Sequence, residues 1–113
     1  MIQVKRIYDQ SRRENGYRIL VDRLWPRGVS KDKANVDLWL REIAPSDKLR
    51  KWFSHDPEKW KEFQSKYKKE LEDKSELLLR IKQLEGEKKV ITLLFSARDE
   101  KHNNAIVINE MLK

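Results

Sequence analysis

The amino-acid sequence predicts an α/β fold: a single small domain with a short, mainly parallel sheet of about three strands, flanked by four or five helices. Residues 19–21 and 90–95 are uncharged apolar segments, typical of strands that are buried on both faces. Between them, apolar residues recur at the three- and four-residue spacing of helices. Strands that precede and follow a helical region in this way are typical of α/β domains.

The first two strands are predicted over residues 2–8 and 17–24. The first mixes polar with apolar residues, as expected near a sheet edge. The polar link between them, residues 9–16, suits a hairpin, because a parallel crossover usually needs a dozen or more residues. The sequence leaves open whether these strands form a hairpin or run parallel. Residues 90–95 carry no charge and should form the central strand.

Helices are predicted from apolar spacing and from end signals. Residues 33–43 form the first, which Ala44-Pro45 should stop. Its apolar face would carry Val36, Trp39, Leu40 and Ile43. Ser46 is a good N-cap for a short second helix, and Asp56 followed by Pro57 should begin a third.

The remaining helices follow the same rules. Helical spacing continues to Glu85, where Gly86 is placed to end the helix. A final helix is expected over residues 104–112, after the predicted central strand. Neither an internal repeat nor a linker interrupts the chain, so residues 1–113 are expected to form one domain.

Composition limits the function classes. The chain has no cysteine, which excludes disulfides, thiolate zinc sites and cysteine nucleophiles. No apolar run resembles a signal peptide or a membrane span, so a soluble, cytoplasmic protein without a membrane partner is expected. The formal net charge is +7, and residues 1–33 hold nine Lys or Arg against four Asp or Glu. Such a basic field attracts anions, either nucleic acid or small molecules.

The first candidate site lies where the second strand ends. Asp22 and Arg23 follow the buried apolar residues, and Trp25 and Arg27 come next in a loop that Pro26 and Gly28 make stiff or sharply turned. Two guanidinium groups on a stiff loop suit bidentate binding of phosphate or carboxylate. The alternative left open is an ion pair between Asp22 and one arginine that only ties the loop to its neighbour.

The second candidate site follows the predicted central strand. Here Ser96, Arg98, Asp99, His102 and Asn103 precede a helix whose free backbone donors favour anions. His102 could act as acid or base, with Ser96 as a hydroxyl donor or nucleophile and Asp99 as a base or positioning group. The alternatives left open are an Asp99 that caps the helix and a His102 that only packs.

The two candidate sites should share one pocket if their strands are parallel neighbours, because ligands of open α/β sheets bind at the carboxyl ends of the strands. Arg23, Arg27 and Arg98 would orient an anion there, with Trp25 and Asn103 as further contacts. These arginines oppose a cation at Asp22, Asp99 and His102, so neither a metal nor a cofactor is expected.

Three motifs carry a family resemblance: residues 21–28 (VDRLWPRG), residues 52–57 (WFSHDP) followed by Trp60 and Phe63, and residues 93–99 (LLFSARD) followed by His102 and Asn103. They resemble the YeaO-like proteins of the domain of unknown function 488 family over nearly the full chain. The resemblance implies a single α/β domain whose activity is not established. A related branch carries a cysteine near the last strand, where this chain has Phe95 and Ser96, so its thiol chemistry does not transfer.

The sequence therefore favours an uncharacterised basic protein with a pocket for a phosphate- or nucleotide-like anion. Asp22, Ser96, Asp99 and His102 are the catalytic candidates if it is an enzyme, which the sequence leaves open. The alternative function is a non-catalytic nucleic-acid-binding module that uses the basic first third of the chain. The reaction, the substrate and the oligomeric state are not encoded in any motif of the chain.

Overall fold

The computed structural model, which describes residues 1–113, contains four parallel strands in one sheet of order β1-β4-β2-β3. The strands are β1 (Ile2–Arg6), β2 (Tyr17–Leu20), β3 (Leu38–Trp39) and β4 (Ile91–Phe95). The helices are α1 (Lys31–Ala34), α2 (Asp47–Phe53), α3 (Trp60–Glu72), α4 (Ser75–Lys88) and α5 (Asn104–Met111). The predicted α/β class and flanking helices are confirmed, with one strand more than expected.

β4 occupies the centre of the sheet, as its uncharged sequence predicts. It pairs with β1 on one side and β2 on the other, so that Leu93 lies between Val4 and Ile19. All five of its residues are buried, as expected for an uncharged strand in a parallel sheet.

The hairpin alternative for the first two strands is wrong, because β4 separates β1 from β2 and both run parallel to it. The link between them crosses the amino-terminal end of β4 through a short 3₁₀ turn, Arg13–Asn15. Gly16 follows with φ 65° and ψ −134°, and Tyr17 N donates to Val90 O at 2.9 Å. A link too short for a helix therefore still makes a parallel crossover.

The predicted helix over residues 33–43 is also wrong. Its first part is the four-residue α1, its middle is β3, and its last part is a 3₁₀ turn. Asn35 adopts a left-handed conformation with φ 52°, which ends α1. The backbone then pairs with β2: Asp37 N donates to Arg18 O, and Leu40 N donates to Leu20 O. Pairing with a buried strand thus takes precedence over local helical spacing.

The end signals of the other helices have mixed outcomes. Ser46 caps α2 by accepting from Leu49 N at 3.2 Å, and Asp56 accepts from Glu58 N at 3.0 Å ahead of α3, so both predicted starts are confirmed. Gly86 does not end its helix: α4 continues to Lys88, and the positive φ that follows belongs to Lys89 at 74°. The final helix has the predicted position.

Two apolar layers cover the sheet. The larger core lies between one face and helices α2 to α5, and it includes Phe63, Tyr67 and Ile108. The other face is covered by residues that follow β2, with Trp25 and Trp39 packed over Leu20 and Leu94. The carboxyl ends of β2 and β4 emerge side by side between these layers. No helix is both long and apolar enough to cross a lipid bilayer.

Candidate functional site

The ends of β2 and β4 are joined by the side chain that follows β2. Val21 N donates to Leu94 O at 3.1 Å, which extends the pairing one residue beyond β2. The next side chain, Asp22, accepts from Ser96 N at 2.9 Å and from Ser96 Oγ at 2.7 Å. The two strand exits therefore lie side by side and point the same way, which confirms the predicted parallel neighbours.

Asp22 is the organising carboxylate of this region. Its Oδ1 also accepts from Asn104 Nδ2 at 3.2 Å, and the same amide donates to Val21 O at 2.8 Å, which attaches α5 to the end of β2. Burial raises the pKa of Asp22, while the hydrogen bonds from Ser96 and Asn104 act in the opposite direction. Asp22 makes no ion pair with either neighbouring arginine, so the simple ion-pair alternative does not describe it.

A cleft of about 380 Å³ opens beside this carboxylate. Most of its wall comes from three parts of the chain: the loop after β2, the segment from residue 44 to the turn after α2, and the loop between β4 and α5; Tyr8 after β1 and Phe63 of α3 complete it. The charged or titratable residues that line it are Tyr8, Asp22, Arg23, Arg27, Arg50, His55 and His102. The lining carries three arginines and one carboxylate, and Asp47 outside it lies 3.9 Å from Arg23 and 3.1 Å from Arg50, so the region keeps an excess of positive charge.

The structure brings together most of the predicted site residues. Those that line the cleft are Asp22, Arg23, Trp25, Arg27, Ser96, His102 and Asn103. Arg98 and Asp99 do not line it, which corrects the predicted pocket. Arg98 is exposed on the loop after β4, and Asp99 lies behind His102. The loop bends between Ser96 and His102, so its residues do not all share one side.

His102 is oriented by Asp99, the residue for which the sequence also left open a role as a helix cap. His102 Nδ1 lies 2.7 Å from Asp99 Oδ2, and this hydrogen bond is the main reason that the pKa of Asp99 is lowered. Asp99 also accepts from the backbone N of Lys101 and of His102. A carboxylate at Nδ1 fixes a proton there, so Nε2 is the ring atom left for other partners. The edge of the Trp60 ring packs on the imidazole at 5.1 Å between centroids.

Asn103 has a structural role in addition to lining the cleft. Its Oδ1 accepts from Ile106 N at 3.1 Å, which caps α5, and its Nδ2 donates to Asp99 O at 3.0 Å. The side chain is almost fully buried. Its amide is therefore committed to the loop, and Asn104 next to it bonds Asp22 instead.

Arg23 supports one wall of the cleft. Its guanidinium donates to Pro45 O at 3.3 Å and to Ala44 O at 3.2 Å, and Lys74 Nζ donates to the same Ala44 O at 3.0 Å. The buried Tyr67 hydroxyl donates to Ile43 O at 2.6 Å. Burial is the main cause of the lowered pKa of Lys74 and of the raised pKa of Tyr67. Residues 43–45 are thus held by side chains from the loop after β2, from α3 and from the link between α3 and α4.

The next residue of this wall, Ser46, is held by Glu70 of α3. Ser46 N and Ser46 Oγ donate to the two carboxylate oxygens at 2.9 and 2.6 Å. Replacing Glu70 with alanine should lower the free energy of unfolding by about 1.5 kcal/mol, since a hydrogen bond to a charged group contributes about that much. Urea denaturation would measure the loss. Glu72→Ala, at an exposed position of the same helix, is the control, and an equal loss there would contradict the role given to Glu70.

Arg27 differs from Arg23 because its side chain is free. The loop that carries it is fixed by its neighbours: Trp25 Nε1 donates to Val29 O at 2.8 Å, and the Tyr8 hydroxyl donates to Arg27 O at 2.9 Å. Gly28 has φ 74°, the left-handed turn that the sequence predicted. The exposed Arg27 guanidinium makes neither a hydrogen bond nor an ion pair within the chain, so all of its donors are available.

Sequence reasoning missed four polar or titratable residues of the cleft: Tyr8, Arg50, His55 and Asn104. His55 lies in the motif of residues 52–57, where Asp56 and Pro57 predict only the start of a helix. The structure shows two consecutive left-handed residues, Ser54 at φ 45° and His55 at φ 57°, which bring this turn to the cleft. The only sequence signal for this part of the cleft is the pair of polar residues, Ser54 and His55, that precedes Asp56. Tyr8 follows the edge strand β1, and no local pattern in the sequence indicates that it lines the cleft.

No three histidine, aspartate or glutamate side chains lie close enough together to hold a metal ion. The fold and the cleft define a parallel α/β protein whose polar groups converge at the carboxyl ends of two adjacent strands, the usual position of a ligand site in this class.

The chain belongs to the family described as the inactive DUF488-N3 subclade, whose model matches residues 1–113. It is 40% identical over 112 residues to the uncharacterized protein YeaO of Escherichia coli (strain K12), covering 99% of this chain and 96% of that protein. An uncharacterized protein of Mycobacterium tuberculosis (strain ATCC 25618 / H37Rv) is 38% identical over 111 residues, covering 98% and 92%. The resemblance found in the sequence motifs is thus confirmed. No solved structure matches the chain significantly.

Proposed function

We propose that the cleft binds a small anionic molecule that carries a phosphate or carboxylate group, and that the chain is a binding protein without catalytic activity. The observation that carries this proposal is the unpaired Arg27 guanidinium at the edge of a cleft that contains two further arginines. A guanidinium that has no partner in its own chain presents its planar fork to phosphate or carboxylate.

The single carboxylate of the cleft does not cancel this field. Both oxygens of Asp22 already accept hydrogen bonds from Ser96 and Asn104, so none of the three arginines is tied to it. Arg50 keeps an ion pair with the exposed Asp47 at 3.1 Å, a surface contact that is weak and easily exchanged. A bound anion would therefore face guanidinium groups with spare donors.

Two observations favour binding over catalysis. The hydroxyl of Ser96 donates to Asp22, and the imidazole of His102 is paired with Asp99, so the serine and the histidine do not form the relay of an activated nucleophile. In addition, the family that contains this chain is described as inactive. The Asp22 carboxylate accepts hydrogen bonds from one backbone N–H and two side chains, so its role is structural.

Arg27→Ala should weaken the binding of inorganic phosphate at least about tenfold, because it removes a charge-assisted hydrogen bond worth about 1.5 kcal/mol or more. Amide chemical shifts recorded during a phosphate titration would give the dissociation constant. Arg23 is unsuitable for this test because its guanidinium also supports the backbone of the wall. Arg80→Ala on the exposed side of α4 is the matched control and should change nothing.

The same titration separates this function from its rival. Saturable shifts confined to the residues of the cleft, weakened by Arg27→Ala alone, would support the proposal. Weak shifts spread over exposed lysines would contradict it. If a single-stranded oligonucleotide bound tightly, with an affinity that fell steeply with salt and responded equally to Arg27→Ala and Arg80→Ala, the nucleic-acid alternative would replace it.

A further inference from the structure

We propose that the anion bound in the cleft is a tetrahedral dianion, the terminal phosphate of a phosphomonoester, held between His55 and His102, and that its binding takes up protons. This inference rests on the function proposed above and names the ligand class of the same site. Its starting point is that the chain contains two histidines and both line one cleft. They reach it from separate elements, the turn after α2 and the loop before α5.

His102 is arranged as a donor toward the cleft. Its Nδ1 is occupied by Asp99 at 2.7 Å, and its ring is held edge-on against Trp60. The ring is about two-thirds buried, with a side-chain exposure of 32%. Nε2 is the remaining polar atom, and it becomes a donor only when the imidazole is protonated.

His55 is held at the cleft by an unusual turn. Ser54 and His55 both have positive φ, and the turn is closed by Ser54 N donating to Arg50 O and Asp56 N donating to Phe53 O, each at 3.0 Å. The imidazole itself is exposed and makes no hydrogen bond in the chain, and its ring centre lies 6.4 Å from that of Phe53. Histidine adopts the left-handed region more readily than most residues. The turn thus presents an imidazole without a hydrogen-bond partner in the chain to the cleft.

The placement of the donors favours phosphate over carboxylate. A planar carboxylate is satisfied by one guanidinium fork, whereas the three terminal oxygens of a phosphomonoester accept hydrogen bonds from several directions. In this cleft the donors stand on different walls: Arg27 on the loop after β2, His55 on the turn after α2, and His102 on the loop after β4. Donors that converge from three walls match a tetrahedral group.

Proton uptake follows from the charges around the two rings. Arg23, Arg27 and Arg50 line the cleft together with the two imidazoles. Asp99 is hydrogen-bonded to His102 Nδ1, and Asp22 is bonded to Ser96 and Asn104. A bound dianion compensates the arginines and gives each imidazolium a partner. By linkage, an anion that favours protonated imidazoles must bind more tightly at lower pH and must take up protons on binding.

The experiment is isothermal titration calorimetry with methyl phosphate, sulfate and acetate in two buffers of different ionisation enthalpy at pH 7.5. Sulfate is the matched probe, because it is a tetrahedral dianion that does not titrate in this range. We expect methyl phosphate and sulfate to bind with net proton uptake and acetate to bind more weakly. His55→Asn keeps a residue that tolerates positive φ but cannot ionise. It should remove much of the proton uptake and weaken sulfate binding at pH 6 about tenfold, with a smaller effect at pH 8.5.

The outcomes distinguish this inference from the proposed function. If none of the three anions binds, or binding does not depend on Arg27, the proposed function itself fails. If sulfate binds through Arg27 with no proton uptake in the unaltered protein, or acetate binds as tightly as sulfate, only the present inference is overturned. The measurement on the unaltered protein stands even if His55→Asn folds poorly, and amide spectra of the variant would report its fold.

Discussion

Replacing Gly16 with alanine should destabilise the protein by about 3 kcal/mol or more, because two penalties coincide at this position. A positive φ costs an L-residue about 1–2 kcal/mol, and forcing extra atoms into a packed site costs about 1–3 kcal/mol. Gly16 has φ 65°, and an added Cβ would lie 2.4 Å from Val90 O and 2.7 Å from Val90 Cβ. That carbonyl also accepts from Tyr17 N, so it cannot move without weakening the β2–β4 pairing.

Gly28→Ala is the matched control for this prediction. Gly28 has a similar φ of 74°, but an added Cβ would meet nothing within 4 Å. Its replacement should therefore cost only the conformational term, about 1 kcal/mol. Urea denaturation of both variants gives the two losses. Equal losses would mean that the backbone near Val90 relaxes freely, and that the close crossover before β2 does not constrain the fold.

The parts of the fold that the sequence predicted depend on burial or on local hydrogen bonds. β4 has no charged residue, and it occupies the centre of the sheet. Ser46 and Asp56 cap helices because a cap needs only a side-chain oxygen and a backbone N–H a few residues away. Such features need no knowledge of distant residues.

The parts that failed depend on distant partners. The spacing of Val36, Trp39 and Leu40 fits a helix, yet the segment extends along β2, and the bonds of Asp37 and Leu40 to β2 are absent from any local pattern. The hairpin alternative failed because a third strand takes the place beside β2. Gly86 is a good terminator by its chemistry, but at an exposed position it is also tolerated inside α4.

The candidate site also consists of residues that local sequence predicts and residues that depend on distant parts of the fold. Asp22, Arg27, Ser96 and His102 could be found because each follows the end of a buried strand. The wall from α2 and the following turn was missed because helical spacing accounts for that region without a ligand. Arg98 shows the converse error: it has the right chemistry and lies near the strand end, but a bend of the loop places it outside the cleft.

Asp22→Ala should lower the free energy of unfolding by about 3 kcal/mol, since it leaves several donors without a partner in a largely buried site. Ser96 N, Ser96 Oγ and Asn104 Nδ2 all donate to this carboxylate. The loss should be visible by urea denaturation. Ser96→Ala removes just one of these donors and should cost about 1 kcal/mol, which makes it the graded control. A loss for Asp22→Ala no larger than that of Ser96→Ala would contradict the organising role of Asp22.

The pH dependence of Asp22→Asn tests the electrostatic part of this role. Burial raises the pKa of Asp22 in the folded protein above its unfolded value, so its contribution to stability is full below the unfolded pKa and is lost as pH rises through the folded pKa. Asparagine does not titrate. The stability of Asp22→Asn relative to the unaltered protein should therefore increase as pH rises above the ordinary aspartate pKa of about 4.

Other carboxylates do not disturb this comparison. The pKa values of Asp47, Glu85 and Asp99 are lowered, mainly by side-chain hydrogen bonds, so their contributions are lost as pH falls. They are common to both proteins and cancel in the difference between the two unfolding free energies. A difference that is constant with pH would mean that the hydrogen bonds from Ser96 and Asn104 fully compensate the burial of Asp22.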